Sequence, residues 1–417
     1  QWASRVVGPR YGYVSAWIYI AAQIGITGAV AYGIAPFVGS LFNWELTVGQ
    51  TQLMAIAIVV VCLLINLVGV RVASAVASLG AAAEVAGMLV LTVVLLVAGW
   101  GNQSPSILFE SHGLPDGSAF LPVALATMLF GSWAYTGIEM TTDMAEETKD
   151  ASRVIPRAAI GSLITTFVVG MVFLVVAVLA IPGDSIFASA NPLQAIIEGN
   201  TSAAFYKVML VVVIVAVFAC TIANQALTAR AMFSLARDGK APGARALMKV
   251  PQSTRVPSVA LTVVTVLTVI LLLFTDAIAT IAVAALTALF VVYMMVIWAQ
   301  LVQRVRGRWT PRGWNLGRHS TTVNVLAAVL GTALTLNIAW PRGEGIPWYN
   351  KWSGFLYVGV AIVLALAYYG LGGRKVREAI ERPLAGSGAA PSGAPAPAPE
   401  SVPALQGATP ASETAAS

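Results

Sequence analysis

Charge is what this chain has least of. Asp, Glu, Lys and Arg make up 10% of its 417 residues, while 58% are hydrophobic. Soluble domains carry about 25% charged residues, and a soluble chain this poor in charge could not cover its own surface. That excludes a water-soluble globular protein. Cysteine and histidine are almost as scarce. Cys62 and Cys220 both lie in apolar runs, which excludes a disulfide scaffold and any Cys-rich metal site. His112 and His319 lie in polar connecting segments, so no intramembrane His serves a serine dyad or a zinc motif. No cofactor and no metal site is expected. The net charge of +6 is scattered between apolar runs and forms no single basic patch, which excludes nucleic acid as a partner. The first residue is Gln1, and no secretory signal pattern precedes the first apolar run; the natural start is expected upstream.

Long apolar runs are what is present. A helix rises 1.5 Å per residue, so about 20 apolar residues cross a bilayer's hydrocarbon layer. Runs of that length predict ten spans, at about 13–38, 52–70, 75–98, 119–140, 157–181, 205–229, 257–274, 277–301, 321–340 and 353–372. The boundary around Asp276 is the tightest, with only a residue or two between neighbouring spans. Residues 373–417 are expected to form a cytoplasmic, disordered tail, rich in Pro, Ala, Gly and Ser from 384 onward. Lys and Arg fix the orientation. All but Lys207, Arg342 and Lys351 fall in one alternate set of loops, a strong positive-inside bias that puts both ends in the cytoplasm. The chain reads as an all-α polytopic protein of the cell membrane whose first partner is the lipid bilayer. Its oligomeric state is not legible.

Charged groups in mid-membrane are costly, so the exceptions point to function. In the fourth span Gly131 and Gly137 bracket Ser132, Trp133, Ala134, Tyr135 and Thr136, with Ile138 and Glu139 following. Glycines around small and polar residues suggest a helix that opens, leaving backbone groups free to hold a substrate or ion; the alternative is a softened packing helix. Glu139, Asp143 and Glu146 are spaced to share one helical face, although Asp143, Glu146 and Glu147 also read as a last turn emerging into water. Glu84 lies about ten residues into the third span with no partner nearby in sequence, so its partner is expected on another helix. It reads as a proton- or cation-coupling carboxyl, or as a packing hydrogen bond. Gln23 and Thr27, four apart, share a face of the first span; Thr221 and Asn224, three apart, share one in the sixth, beside Gln225. Such residues also hydrogen-bond between membrane helices without further role.

The stretches WAYTGIEM and AEETKDASRVIPRA (133–140 and 145–158) resemble the sixth-helix signature of the amino acid–polyamine–organocation superfamily. The opening WASRVVGP, NLVGVRV before the third span and NQALTARAMFSLARDGKAP leaving the sixth fall in the matching order, and the AEETKDASR form with AQIG in the first span is most similar to the amino acid/choline branch. The resemblance covers about residues 1–372. It implies a LeuT-like fold of inverted five-helix repeats, with these ten spans as the third to twelfth helices and the first two absent. It also implies roles. Trp133–Ile138 match the break that receives the substrate amine, and Glu139 matches an acidic residue linked to proton gating. Glu84 falls where several relatives carry a lysine, a departure in charge sign that leaves sodium open beside the proton. Thr221 and Asn224 match the face toward substrate and cation. Together with Gln23 these residues form the expected substrate site. The implied function is secondary active uptake or exchange of an amino acid or related small amine, with a non-transporting sensor on the same fold as the alternative. An intramembrane enzyme lacks its nucleophile–base pair, and a channel lacks a ring of charged or carbonyl-rich loops.

Overall fold

A computed structural model describes residues 2–110, 120–143, 148–189, 191–274, 278–309, 316–343 and 345–382, the side chains of Trp2, Asp143 and Ala188 excepted. His112, Glu146, Glu147, Asp276 and the stretch 384–417 lie outside the described residues. Each expected span has a helix. In chain order these are α1 (Pro9–Phe42), α2 (Val48–Val68), α3 (Val70–Ala98), α4 (Phe120–Ala134), α5 (Ala151–Leu179), α6 (Ala203–Arg237), α7 (Ser258–Leu273), α8 (Ile278–Val305), α9 (Ser320–Ala339) and α10 (Ser353–Leu371). Eight of these runs are long and apolar enough to cross a bilayer, and α4 and α7 are shorter apolar helices. Among the described residues there is no strand. This is an all-α, multi-pass membrane protein.

Local chemistry sets several helix ends. Thr47 caps α2 through a reciprocal pair with Gln50, which satisfies two otherwise orphaned amides. Ser202 caps α6 by accepting from the Phe205 amide at 3.3 Å. Pro9 opens α1, where its missing N–H costs nothing.

The bundle is built around α1. Eighteen of its 34 residues are buried, against one of 15 in α4. It packs on α6 and α8 most extensively, then on α2, α7 and α10. Lipid tails are as apolar as the side chains, so close backbone approach between small residues drives much of this packing. A Cβ on Gly25 would stand 2.7 Å from that of Ala285 on α8, and one on Gly80 of α3 only 2.0 Å from that of Ala219 on α6.

The tail departs from expectation at its start. Gly373–Glu381 is helical and folds back on the bundle, burying Ile380 among Tyr13, Leu235, Ala365 and Val376. Arg10 binds Glu381 at 2.7 Å, and the Tyr369 hydroxyl donates to the same carboxylate. The short run GRKVREAIE is too polar to read as a span, but it holds two apolar residues one turn apart, enough for one docking face. The contact also places residues 10 and 381 at the same end of the bundle.

Candidate functional site

The expected opening in the fourth span is present in the backbone, a few residues later than the glycines suggested. α4 runs unbroken through Gly131 and ends at Ala134. Residues 135–139 form turns, and a single helical turn, Met140–Asp143, resumes beyond them. The stop has identifiable causes. The amide and hydroxyl of Thr136 both donate to the Trp133 carbonyl, at 3.2 and 2.8 Å, tightening the end of the helix. Gly137 then takes a φ of +94°, a conformation that an L side chain rarely adopts. Among the described residues, no hydrogen-bond donor reaches the carbonyls of Tyr135 and Thr136. Those of Gly137, Ile138 and Glu139 are taken by the turn that follows.

Glu139 fastens this break to the bundle. Its Oε1 accepts from Gln23 Nε2 of α1 at 2.9 Å, and its Oε2 accepts from the Gly137 amide at 3.1 Å and from the Tyr293 hydroxyl of α8. Three donors and no acceptor converge on one carboxylate. Glu139 therefore lies in the turn that precedes Met140–Asp143 and not within a continuous helix, where the shared stripe was expected. Trp133, half-buried, packs against the buried cluster that α1 and α8 build, which includes Ile18, Ala22, Ile26 and Leu289. Ala134 and Tyr135 are exposed.

Gln23 continues into α6. Thr27 Oγ1 donates to the Gln23 carbonyl at 2.8 Å and accepts from Asn224 Nδ2 at 2.7 Å, while Asn224 Nδ2 also reaches the Gln23 carbonyl at 3.1 Å. All three are buried. Break, α1, α6 and α8 thus meet in one hydrogen-bonded group. Thr221 is buried nearby in sequence, but its hydroxyl turns back to the Val217 carbonyl.

Glu84 stands apart. It was expected to be buried with a partner on another helix, but it is exposed, on the α3 face that carries Gly80 and Gly87 against α6. Among the described residues it has no hydrogen-bond or ion-pair partner, and it does not join the Gln23–Glu139 group. The close approach of the two backbones leaves a long side chain no room in the seam and pushes it to the rim.

Tyr293 was missed. A lone hydroxyl in FVVYMMV reads as one more apolar residue, and only its depth in the span could have flagged it. A second buried network was missed in part. Gln225 donates to the Val59 carbonyl at 3.1 Å and to Thr265 at 2.9 Å, and it accepts from Asn66 at 3.1 Å. It ties α6 to α2 and α7.

Comparisons with known proteins agree with this architecture. A family model described as amino acid permease matches residues 1–367. The D-serine/D-alanine/glycine transporter of Escherichia coli K12 is 27% identical over 279 residues, 63% of this chain and 56% of its own length. The serine/threonine exchanger of Bacillus subtilis is 25% identical over 267 residues, 62% and 57% respectively. The L-asparagine permease of Streptomyces coelicolor is 25% identical over 254 residues, 58% and 50%. The chain spans about half the length of the curated relatives it matches.

Proposed function

The chain belongs to the amino acid permease family, and from that premise we propose that it moves an amino acid, or a related small amine, across the cell membrane by alternating access. The transport is driven by protons or by exchange. The substrate sits near the bilayer midplane against Trp133–Ile138, in a LeuT-like arrangement of inverted repeats, with its ammonium on the open carbonyls of Tyr135 and Thr136. Gln23, Thr221 and Asn224 complete the pocket from α1 and α6. Glu139 and Glu84 are the carboxylates available to carry a coupling proton. Both described ends face the cytoplasm.

One observation carries this reading: a membrane helix stops at Ala134 and resumes at Met140, and its free backbone groups are held against two other helices by Glu139. Discontinuous helices place such groups where a substrate or ion can use them. The named substrates of the relatives are amino acids, which favours that class over other amines. The contact between Arg10 and Glu381 supports an even number of crossings between the two described ends.

The test is uptake of labelled amino acids into liposomes holding the full-length protein, with Trp133→Ala and Glu84→Gln alongside, under an imposed pH gradient and then a sodium gradient. Uptake that depends on Trp133 and responds to the pH gradient is expected. Unchanged transport by both variants would remove the site. A response to sodium alone would remove the proton, and indifference to both gradients would leave exchange.

A further inference from the structure

Two oxygens in the buried group have no donor. Gln23 Oε1 and Asn224 Oδ1 are shut off from solvent, and neither meets a hydrogen-bond partner among the described residues. Their side chains are 2% and 1% exposed, so water at the surface does not serve them either.

The two amides cannot exchange their ends to escape this. Gln23 Nε2 donates to Glu139; turned over, the amide would set its oxygen against a carboxylate. Asn224 Nδ2 has two acceptors, the Gln23 carbonyl and Thr27 Oγ1. The Thr27 hydroxyl spends its own proton on that same carbonyl, so its oxygen is left to accept. Turning Asn224 would therefore oppose oxygen to oxygen twice. Both free oxygens are fixed as acceptors by neighbours that are themselves committed. A fold that holds two acceptors unpaired in its interior bears a desolvation cost that an arriving donor removes.

We propose that Gln23 and Asn224 form the side-chain subsite of the substrate pocket, and that this subsite selects amino acids whose side chain offers a neutral hydrogen-bond donor over apolar side chains of the same size. The proposal rests on the transport reading above and assigns its specificity. The substrate ammonium has its own acceptors in the carbonyls of Tyr135 and Thr136, beside the exposed Tyr135, whereas the two amide oxygens are closed off from solvent. The substrate's side chain is what reaches them. The donor they suit is a hydroxyl or carboxamide: both oxygens are neutral amide acceptors, and Glu139, the carboxylate bonded to Gln23 among the described residues, already has both its oxygens taken by donors. An apolar side chain would leave both oxygens unmet, and a site built around a donor rejects analogues that lack it.

The test compares near-isosteric pairs, serine with alanine and threonine with valine, in liposomes holding the full-length protein. Transport efficiency is expected to favour the hydroxyl member by about tenfold or more, and Asn224→Leu and Gln23→Leu should bring that ratio towards one. Stabilisation of the purified parent against heat by the same four unlabelled amino acids reads the preference without any variant, should the substitutions fail to fold. Equal handling of each pair by the parent, in transport or in stabilisation, would overturn the subsite while leaving transport intact; that is the outcome if the two oxygens are filled only by buried water. If no amino acid is transported or stabilises the protein, the transport reading fails and the subsite with it.

Discussion

Replacing Glu139 with Gln keeps the shape of the side chain and removes one acceptor. In the parent, Oε1 faces Gln23 Nε2 while Oε2 faces the Gly137 amide and the Tyr293 hydroxyl. A carboxamide has a single oxygen. Its better placement keeps that oxygen for Gly137 and Tyr293 and turns its NH2 toward Gln23, whose amide then turns over to accept, so three bonds to a carboxylate become three between neutral groups. Bonds to a charged group are worth about 1.5–3 kcal/mol and neutral ones about 0.5–1.5, which puts the loss over three bonds at roughly 3–4.5 kcal/mol. Tyr293→Phe alone should cost about 2 kcal/mol, but only about 1 when Gln already stands at 139. The expected coupling between the two positions is therefore about 1 kcal/mol. A double-mutant cycle on reversible unfolding of the bicelle-embedded protein by SDS measures it. Additivity within about 0.5 kcal/mol would refute the claim that Tyr293 acts through the Glu139 carboxylate.

Three further outcomes follow from the packing. Gln225→Leu removes three bonds between α6 and its neighbours α2 and α7; at about 0.6 kcal/mol per bond inside a bilayer, the same unfolding assay should show a loss of about 2 kcal/mol. Gly80→Ala forces a methyl to within 2.0 Å of the Ala219 Cβ, so α3 and α6 must separate; the expected cost is about 1–3 kcal/mol, and cross-linking of paired cysteines along that seam should weaken. The Tyr369 hydroxyl, and then Arg10, hold the Glu381 carboxyl below its ordinary value of 4.5. A depressed carboxylate stabilises its contact above the ordinary value and loses it as pH falls through the folded one. Spin labels on the Gly373–Glu381 helix and on α1 should therefore stay close at neutral pH and separate in acid below about pH 4.5, and Glu381→Gln should flatten that response.

The helices were legible because each needs only a run of apolar residues, and composition alone supplies that. The opening in α4 was legible as a region but not to the residue. Gly131 and Gly137 look alike in sequence, but only Gly137 adopts a positive φ; what ends the helix is the Thr136 hydroxyl folding back on Trp133, a local competition between side chain and backbone. Gln23, Thr27 and Asn224 announced themselves as polar groups in apolar surroundings, although nothing in their spacing says that the first and sixth spans meet. Glu84 misled for a related reason. Its depth along the span was readable, but its exposure at the edge of the α3–α6 seam was not. Tyr293 is apolar by composition and polar by one atom, so a pattern of hydrophobicity passes over it. The docked helix at 373–381 failed the other way: it is too charged to look like part of the bundle, yet Ile380 is enclosed.

That last helix bears on how the molecule is made. Arg10 and Glu381 are 371 residues apart in sequence, and a ribosome adding about 5–20 residues per second needs about 20–75 s to cover that interval. Throughout it, the turn of α1 around Tyr13 waits with its partner still unwritten. A chain cut short before residue 373 would keep α1 to α10 and still leave α1 uncovered around Tyr13, a candidate for quality-control proteolysis rather than a smaller working version of the same protein.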